Sequence, residues 1–272
     1  MASPKKILVF DSGLGGISIF QAIQKQYPFC PLLYCSDNEA FPYGSKPEAE
    51  LVERVSKVLL RLDACYQPDI FVIACNTAST VALPKIRSLI KAPVVGVVPA
   101  IKPAALVAGS PAIGLLATPG TIHRAYTQSL IDQFAPAFKW IRIGSSELVQ
   151  IAESKMYGEP VSNQAIEKIV APFAQCSSTE LDTVVLACTH FPLIRQELQH
   201  ALPHIANWID SSEAIANRVG FWLHELGIRE GDDQLKQENH RIIFTREPDA
   251  AAKLAPLLKK LSIKETDILA VK

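Results

Sequence analysis

Two stretches constrain this chain more than any others: "DIFVIACNT" at 69–77 and "DTVVLACTH" at 182–190. Each runs from an Asp through an apolar segment into Ala-Cys and then two polar residues. An apolar run that does not alternate with polar residues has no solvent face. It reads as a strand covered on both sides, as in a parallel sheet flanked by helices. The chain makes this local object twice, once in each half.

Further runs fit the same scheme: "KILVFD", "PLLYCS", "PVVGVV", "AIGLLAT", "FKWIRI", "NWID", "RIIFT" and "DILAV". Between them, "EAELVERVSKVLLRLDACY" carries Leu51, Val55, Val58, Leu59 and Leu62 at helical spacing, a stripe suited to a sheet. "SEAIANRVGFWLHEL" repeats the pattern with Ile215, Val219, Trp222 and Leu223. Strand–helix alternation predicts an α/β protein with doubly wound, mainly parallel sheets. Proline-punctuated "VVPAIKPAALVAGSP" and, later, "WIDSSEA" read as junctions between two units. They divide the chain into a discontinuous first unit, 1–98 plus 210–272, and a second at 99–209. Each unit holds one Ala-Cys element. Functional groups in open α/β sheets gather at the carboxyl ends of strands, so both cysteines can face one cleft between the units.

At 272 residues the chain can bury a substantial core. Its 27 basic and 27 acidic side chains balance, and no Lys/Arg block stands out, which argues against a nucleic-acid partner. The apolar run near the start is too short for a signal segment, and no stretch is long enough for a membrane span. The expectation is a soluble cytoplasmic protein. Six cysteines (30, 35, 65, 75, 176, 188) form no CxxC pair and no zinc spacing, so no metal and no disulfide framework are expected. Cys30, Cys35, Cys65 and Cys176 read as small buried hydrophobes.

Several segments could carry chemistry. "FDSGLGGIS" follows the first strand and opens a helix, either as an anion site of backbone N–H groups or as a plain glycine turn. It fails the dinucleotide fingerprint at Ser18 and lacks the lysine of a P-loop. Asp11, ending a buried strand, must be hydrogen-bonded or put to use. "AFPYGSK" reads as a turn, and "ATPGT" places Thr118 and Thr121 near a helix start as caps or ligands. His190 shares a face with Cys188 if the strand continues, and approaches the thiol from another side if the chain turns. The remaining histidines have no such company.

A single Cys with a His suggests a covalent nucleophile. Two equivalent Cys elements suggest two-sided chemistry, in which one group removes a proton from one face of a stereocentre and another delivers it to the opposite face. Thiols suit both roles, because a polar neighbourhood can move their reference pKa of about 8.5 towards neutrality. Asp11 and His190 are candidates for relaying protons at the two sites. A carboxylate beside Cys75 raises the thiol pKa, so Asp11 has to act as proton acceptor.

Taken in order, "DSGLGG", "PYGS", "ACNTAS" and "ACTHFP" resemble the glutamate racemases, cofactor-independent enzymes that supply D-glutamate for peptidoglycan. The resemblance runs from Lys6 to about Ser212. It implies two pseudo-symmetric α/β domains, no cofactor, and a homodimer or monomer–dimer equilibrium. It also implies that Cys75 and Cys188 are the paired acid/bases, Cys75 on the D-glutamate face and Cys188 on the L-glutamate face. Asp11 would assist Cys75, and His190 would assist Cys188 with Glu153 nearby. Substrate would be held by Asp11, Ser12, Tyr43, Gly44, Asn76, Thr77, Thr118, Thr121, Thr189 and His190. Some members carry an N-terminal extension linked to activation by a peptidoglycan precursor, whereas here the first strand follows Met1 by only a few residues. "SDNEAFPYG" also departs from the usual pattern before Pro42. Competing readings are an aspartate racemase, a Cys-His hydrolase or acyl-transferase using Cys188, and a non-catalytic amino-acid-binding module.

Overall fold

The computed structural model describes residues 5–228 and 240–271. Its strands in chain order are β1 (Ile7–Asp11), β2 (Leu32–Ser36), β3 (Ile70–Ile73), β4 (Val94–Gly96) and β5 (Ala112–Ala117). They continue with β6 (Lys139–Gly144), β7 (Leu181–Ala187), β8 (Asn207–Ile209), β9 (His240–Phe244) and β10 (Ile263–Ile268). The helices are α1 (Ile17–Gln26), α2 (Glu48–Tyr66), α3 (Asn76–Leu89), α4 (Ile101–Val107), α5 (Pro119–His123) and α6 (Ala125–Phe134). After them come α7 (Glu147–Met156), α8 (Asn163–Ala174), α9 (Arg195–Ala201), α10 (Ser212–Glu225) and α11 (Ala255–Lys260).

Two sheets result, a six-stranded one in the order β10-β9-β2-β1-β3-β4 and a four-stranded one in the order β6-β5-β7-β8. Every strand pair among the described residues is parallel. The order β2-β1-β3-β4 in the first sheet recurs as β6-β5-β7-β8 in the second. Strand periodicity divides the cores. Ile70, Val72 and Ala74 pack on the α1/α10 side, while Phe71, Ile73 and Cys75 pack on the α2/α3 side. In the second sheet Val184, Leu186 and Cys188 face α8 and α9, and Val185 and Ala187 face the opposite side. Each fully buried Val, Leu or Ile contributes about 1.5–3 kcal/mol, so both strands are anchored by apolar burial on both faces. The chain passes from one sheet to the other between β4 and β5, and returns between β8 and α10, which packs on α1.

The α2 stripe is buried throughout, as are Ile215, Val219 and Leu223 of α10. Three expectations need correction. The last strand lies at Ile263–Ile268 rather than over "DILAV"; it is an edge strand with alternating exposure, so its apolar signal is weak. Cys65 is exposed, because the 19-residue α2 overhangs the five-residue strands it covers and its last turn meets solvent. Cys176 is only half-buried, just beyond the end of α8. Cys30 and Cys35 are buried.

Candidate active site

The carboxyl ends of strands from both sheets converge on one small cavity. The first sheet contributes Asp11 at the end of β1 and Ser12 after it, Pro42, Tyr43 and Gly44 after β2, and Cys75, Asn76 and Thr77 after β3. The second contributes Thr118 after β5, Ser146 and Val149 after β6, and Cys188, Thr189 and His190 after β7. Both thiols therefore line one cavity, although each also belongs to the apolar core of its own sheet.

Cys75 is the N-cap residue of α3, where strand geometry gives way to helix. Its thiol shares the cavity wall with the Asp11 carboxyl, whose charge acts on it. Burial first, and the Asp11 charge second, push the Cys75 thiol well above its ordinary range. Burial also raises Asp11, outweighing the lowering effect of His190 and of the Ser12 N–H. The pair thus favours its protonated forms, the state of a proton donor. Asp11 is fully buried and held from several directions. It accepts from Ser12 N at 2.7 Å, Gly16 N at 2.5 Å and Thr189 Oγ1 at 3.1 Å.

The chain turns after Cys188, and His190 returns to the thiol from another side. Its Nδ1 lies 3.9 Å from Cys188 Sγ, and its Nε2 lies 2.8 Å from Glu153 Oε2. Burial opposes a charge on His190, but the bonds to Cys188 and Glu153 outweigh it and lift the imidazole well above 6.5. These contacts favour the protonated form of the ring. Phe41 packs on it with ring centroids 5.7 Å apart. On the remaining side sits Gly15, where a Cβ would fall 2.2 Å from His190 Nδ1, so only glycine lets the first loop approach.

The glycine loop does bind carboxylates, but the protein's own. Gly16 N–H serves Asp11, and Leu14 N–H donates to Glu153 Oε2 at 2.8 Å. Ser18, where a dinucleotide fold needs its third glycine, donates to the Thr189 carbonyl at 3.1 Å and links the sheets. Thr77 and Thr118 hydroxyls also meet across the cleft at 3.3 Å. Thr118 caps α5 and lines the cavity as well. Asn76 Oδ1 is buried without a hydrogen-bond partner. Such an orphan acceptor costs about 1–3 kcal/mol, a penalty that a ligand N–H group would relieve.

One residue sits differently from its expected place. Thr121 is fully buried behind Thr118, hydrogen-bonded to it at 3.0 Å, and is not on the cavity wall. Glu153 reaches the site only through His190 and the glycine loop. Tyr43 lines the cavity, and its hydroxyl is bonded to Asp37. Ser146 and Val149 were missed by sequence reasoning. The signal was available, since "RIGSS" ends β6 and strand ends are where such groups collect.

A family model described as Asp/Glu/Hydantoin racemase matches residues 15–219. The chain is 43% identical over 265 residues to the glutamate racemase of Erwinia tasmaniensis, covering 97% of this chain and 92% of that one. It is 50% identical over 213 residues to the glutamate racemase of Shewanella loihica, covering 78% and 79% respectively. The crystal structure of Escherichia coli glutamate racemase in complex with L-glutamate and the activator UDP-MurNAc-Ala is similar at a TM-score of 0.91. The sequence identity there is 41%, and 99% of each chain is covered.

Proposed function

The chain belongs to the Asp/Glu/Hydantoin racemase family, and we infer from that premise that it interconverts L- and D-glutamate, supplying the D-isomer for cell-wall synthesis. The observation that carries the mechanism is the presence of two strand-end thiols, one from each sheet, on the wall of one cavity. With L-glutamate bound, the Cys188 sulfur takes the α-proton as its C–H bond breaks. The electron pair stays on Cα, and the Cys75 thiol then gives its proton to the opposite face. The reverse reaction exchanges the roles. Asp11 and His190 return each sulfur to its starting state by moving a proton to or from it.

The remaining wall is mostly neutral donors and one free acceptor. Asn76 Oδ1 takes the substrate ammonium, where it gains the partner it lacks. Hydroxyls of Ser12, Thr77, Thr118 and Thr189, with the backbone at Tyr43 and Gly44, hold the carboxylates. Burial supports this, because excluded water strengthens those dipoles around a transient carbanion. No cofactor is required. The proposed units, 1–98 plus 210–272 and 99–209, follow sheet membership. The proposed setting is the cytoplasm, as a homodimer or in monomer–dimer exchange; no helix among the described residues is long and apolar enough to cross a membrane.

The test is circular dichroism of purified protein with D- or L-glutamate and nothing added. Decay of both signals towards zero is expected. A stable signal from either enantiomer contradicts the assignment.

A further inference from the structure

We propose that Arg54 and Asp37 are positioning residues that set the glutamate-binding wall through Tyr43, without touching substrate. Asp37 follows β2, and its side chain is fully buried. Its backbone N–H donates to the Asp11 carbonyl at 2.8 Å, so it is tied directly to the site. Three groups converge on its carboxylate. Arg54, from α2, forks onto it with Nε–Oδ2 at 2.9 Å and Nη2–Oδ1 at 2.6 Å. Thr245, beyond the end of β9, donates to Oδ1 at 2.7 Å, and the Tyr43 hydroxyl donates to Oδ2.

This cluster sits outside the cavity, yet it governs two pieces of its wall. The segment between Asp37 and Tyr43 carries Phe41, which packs on His190. Tyr43 and Gly44 line the cavity themselves. Gly44 packs closely on Thr118 of the other sheet, where a Cβ would sit 3.1 Å from Thr118 Cβ. Asp37 engages the Tyr43 hydroxyl, so the residue lines the cavity with that group already bonded. A buried ion pair gives little net stability over apolar packing, so a geometric role explains its presence better than a stabilising one. The guanidinium fork fixes Asp37 in one orientation, which a lysine point charge cannot do.

This inference rests on the reading of the cavity as a glutamate site. A merely structural role reduces the amount of active enzyme and leaves KM alone, whereas a positioning role moves KM. The experiment therefore measures KM and kcat for both enantiomers in Arg54→Met, Arg54→Lys, Tyr43→Phe and the Arg54→Met/Tyr43→Phe double variant. Arg54→Met is expected to raise KM about tenfold or more while kcat stays within about threefold. Arg54→Lys should not restore KM. In the Tyr43→Phe background, where the tether is already cut, Arg54→Met should add less than about twofold.

An unchanged KM with only a lower Tm, full restoration by lysine, or independent multiplication of the two effects would overturn the proposal. If Arg54→Met does not fold, Arg54→Lys and Tyr43→Phe decide it, and an unchanged KM in both overturns it. Wild-type turnover tests the functional reading separately. Should the wild type bind glutamate without racemising it, the same shifts in Kd, measured by calorimetry, support the positioning role. Their absence overturns it.

Discussion

Cys75 and Cys188 occupy equivalent places in two sheets of the same strand order, yet their proton partners arrive by different routes. In the first sheet the Phe10–Ile73 pair puts Asp11 beside Ala74, the residue before Cys75. In the second sheet the residue facing Ala187, just before Cys188, is Ala117. The carboxyl that serves Cys75 therefore has no counterpart, and Cys188 instead draws on His190 from its own chain turn, backed by Glu153 from α7. One half-site pairs a thiol with a buried carboxyl, the other with a buried imidazole whose protonated form is favoured. The repeated strand order places two thiols on one cavity, and the differing neighbouring positions give them two different proton stores.

The largest effects should come from the thiols themselves. Cys75→Ser and Cys188→Ser are each expected to lower racemisation by roughly 10³-fold, within the range of general acid–base catalysis. Because the enantiomers are equal in energy, kcat/KM must fall equally in both directions, so racemisation alone cannot tell the halves apart. A substrate with a β-leaving group can, since elimination needs only the first proton removal. Cys75→Ser should go on eliminating from the L-enantiomer, and Cys188→Ser from the D-enantiomer. Equal loss from both enantiomers in both variants breaks the comparison.

Next come the partners. Asp11→Asn and His190→Asn should each cost about a hundredfold in racemisation. In the elimination assay Asp11→Asn should fall mainly on the D-enantiomer and His190→Asn on the L-enantiomer. If either variant damages both enantiomers alike, the two proton stores are not private to their thiols.

Glu153→Gln should be milder, about tenfold, since it acts through His190. The carboxylate helps to raise the His190 pKa, so its loss must lower it. A raised folded-state pKa contributes stability that is complete below the unfolded value near 6.5 and is lost as pH rises through the folded value. In the variant that loss, and the matching limb of the kcat/KM profile, should move to lower pH. A limb that stays in place assigns it to another group.

The smallest expected effect is at Thr118, which caps α5 and meets Thr77 across the cleft. Thr118→Val should cost about 1 kcal/mol of stability through the lost cap, seen as a lower Tm, with a modest rise in KM.

Much of this was legible in the sequence because the signals were local. "DIFVIACNT" and "DTVVLACTH" disclosed both buried strands and both thiols, and the α2 stripe disclosed its buried face. What stayed hidden depends on contacts between distant segments. The glycine loop's N–H groups turn inward to Asp11 and Glu153, 139 positions separating Leu14 from Glu153. Asp37 has nothing in its neighbourhood that marks it, because Arg54 reaches it from α2 and Thr245 from beyond the end of β9. Thr121 shows the opposite failure. "ATPGT" correctly placed hydroxyls at a helix start, but periodicity could not say that one faces the cavity and the other lies behind it.

The central claim is that two thiols serve the two faces of one substrate, and isotope exchange tests it most directly. L-glutamate is racemised by the wild type in deuterated water, and the α-position of both enantiomers is followed at early times. The account predicts that newly formed D-glutamate carries deuterium while the remaining L-glutamate keeps its original hydrogen, because the group that takes the proton is not the one that delivers it. Deuterium entering the L-glutamate pool as fast as it appears in the product would mean that one base serves both faces, and would contradict the account.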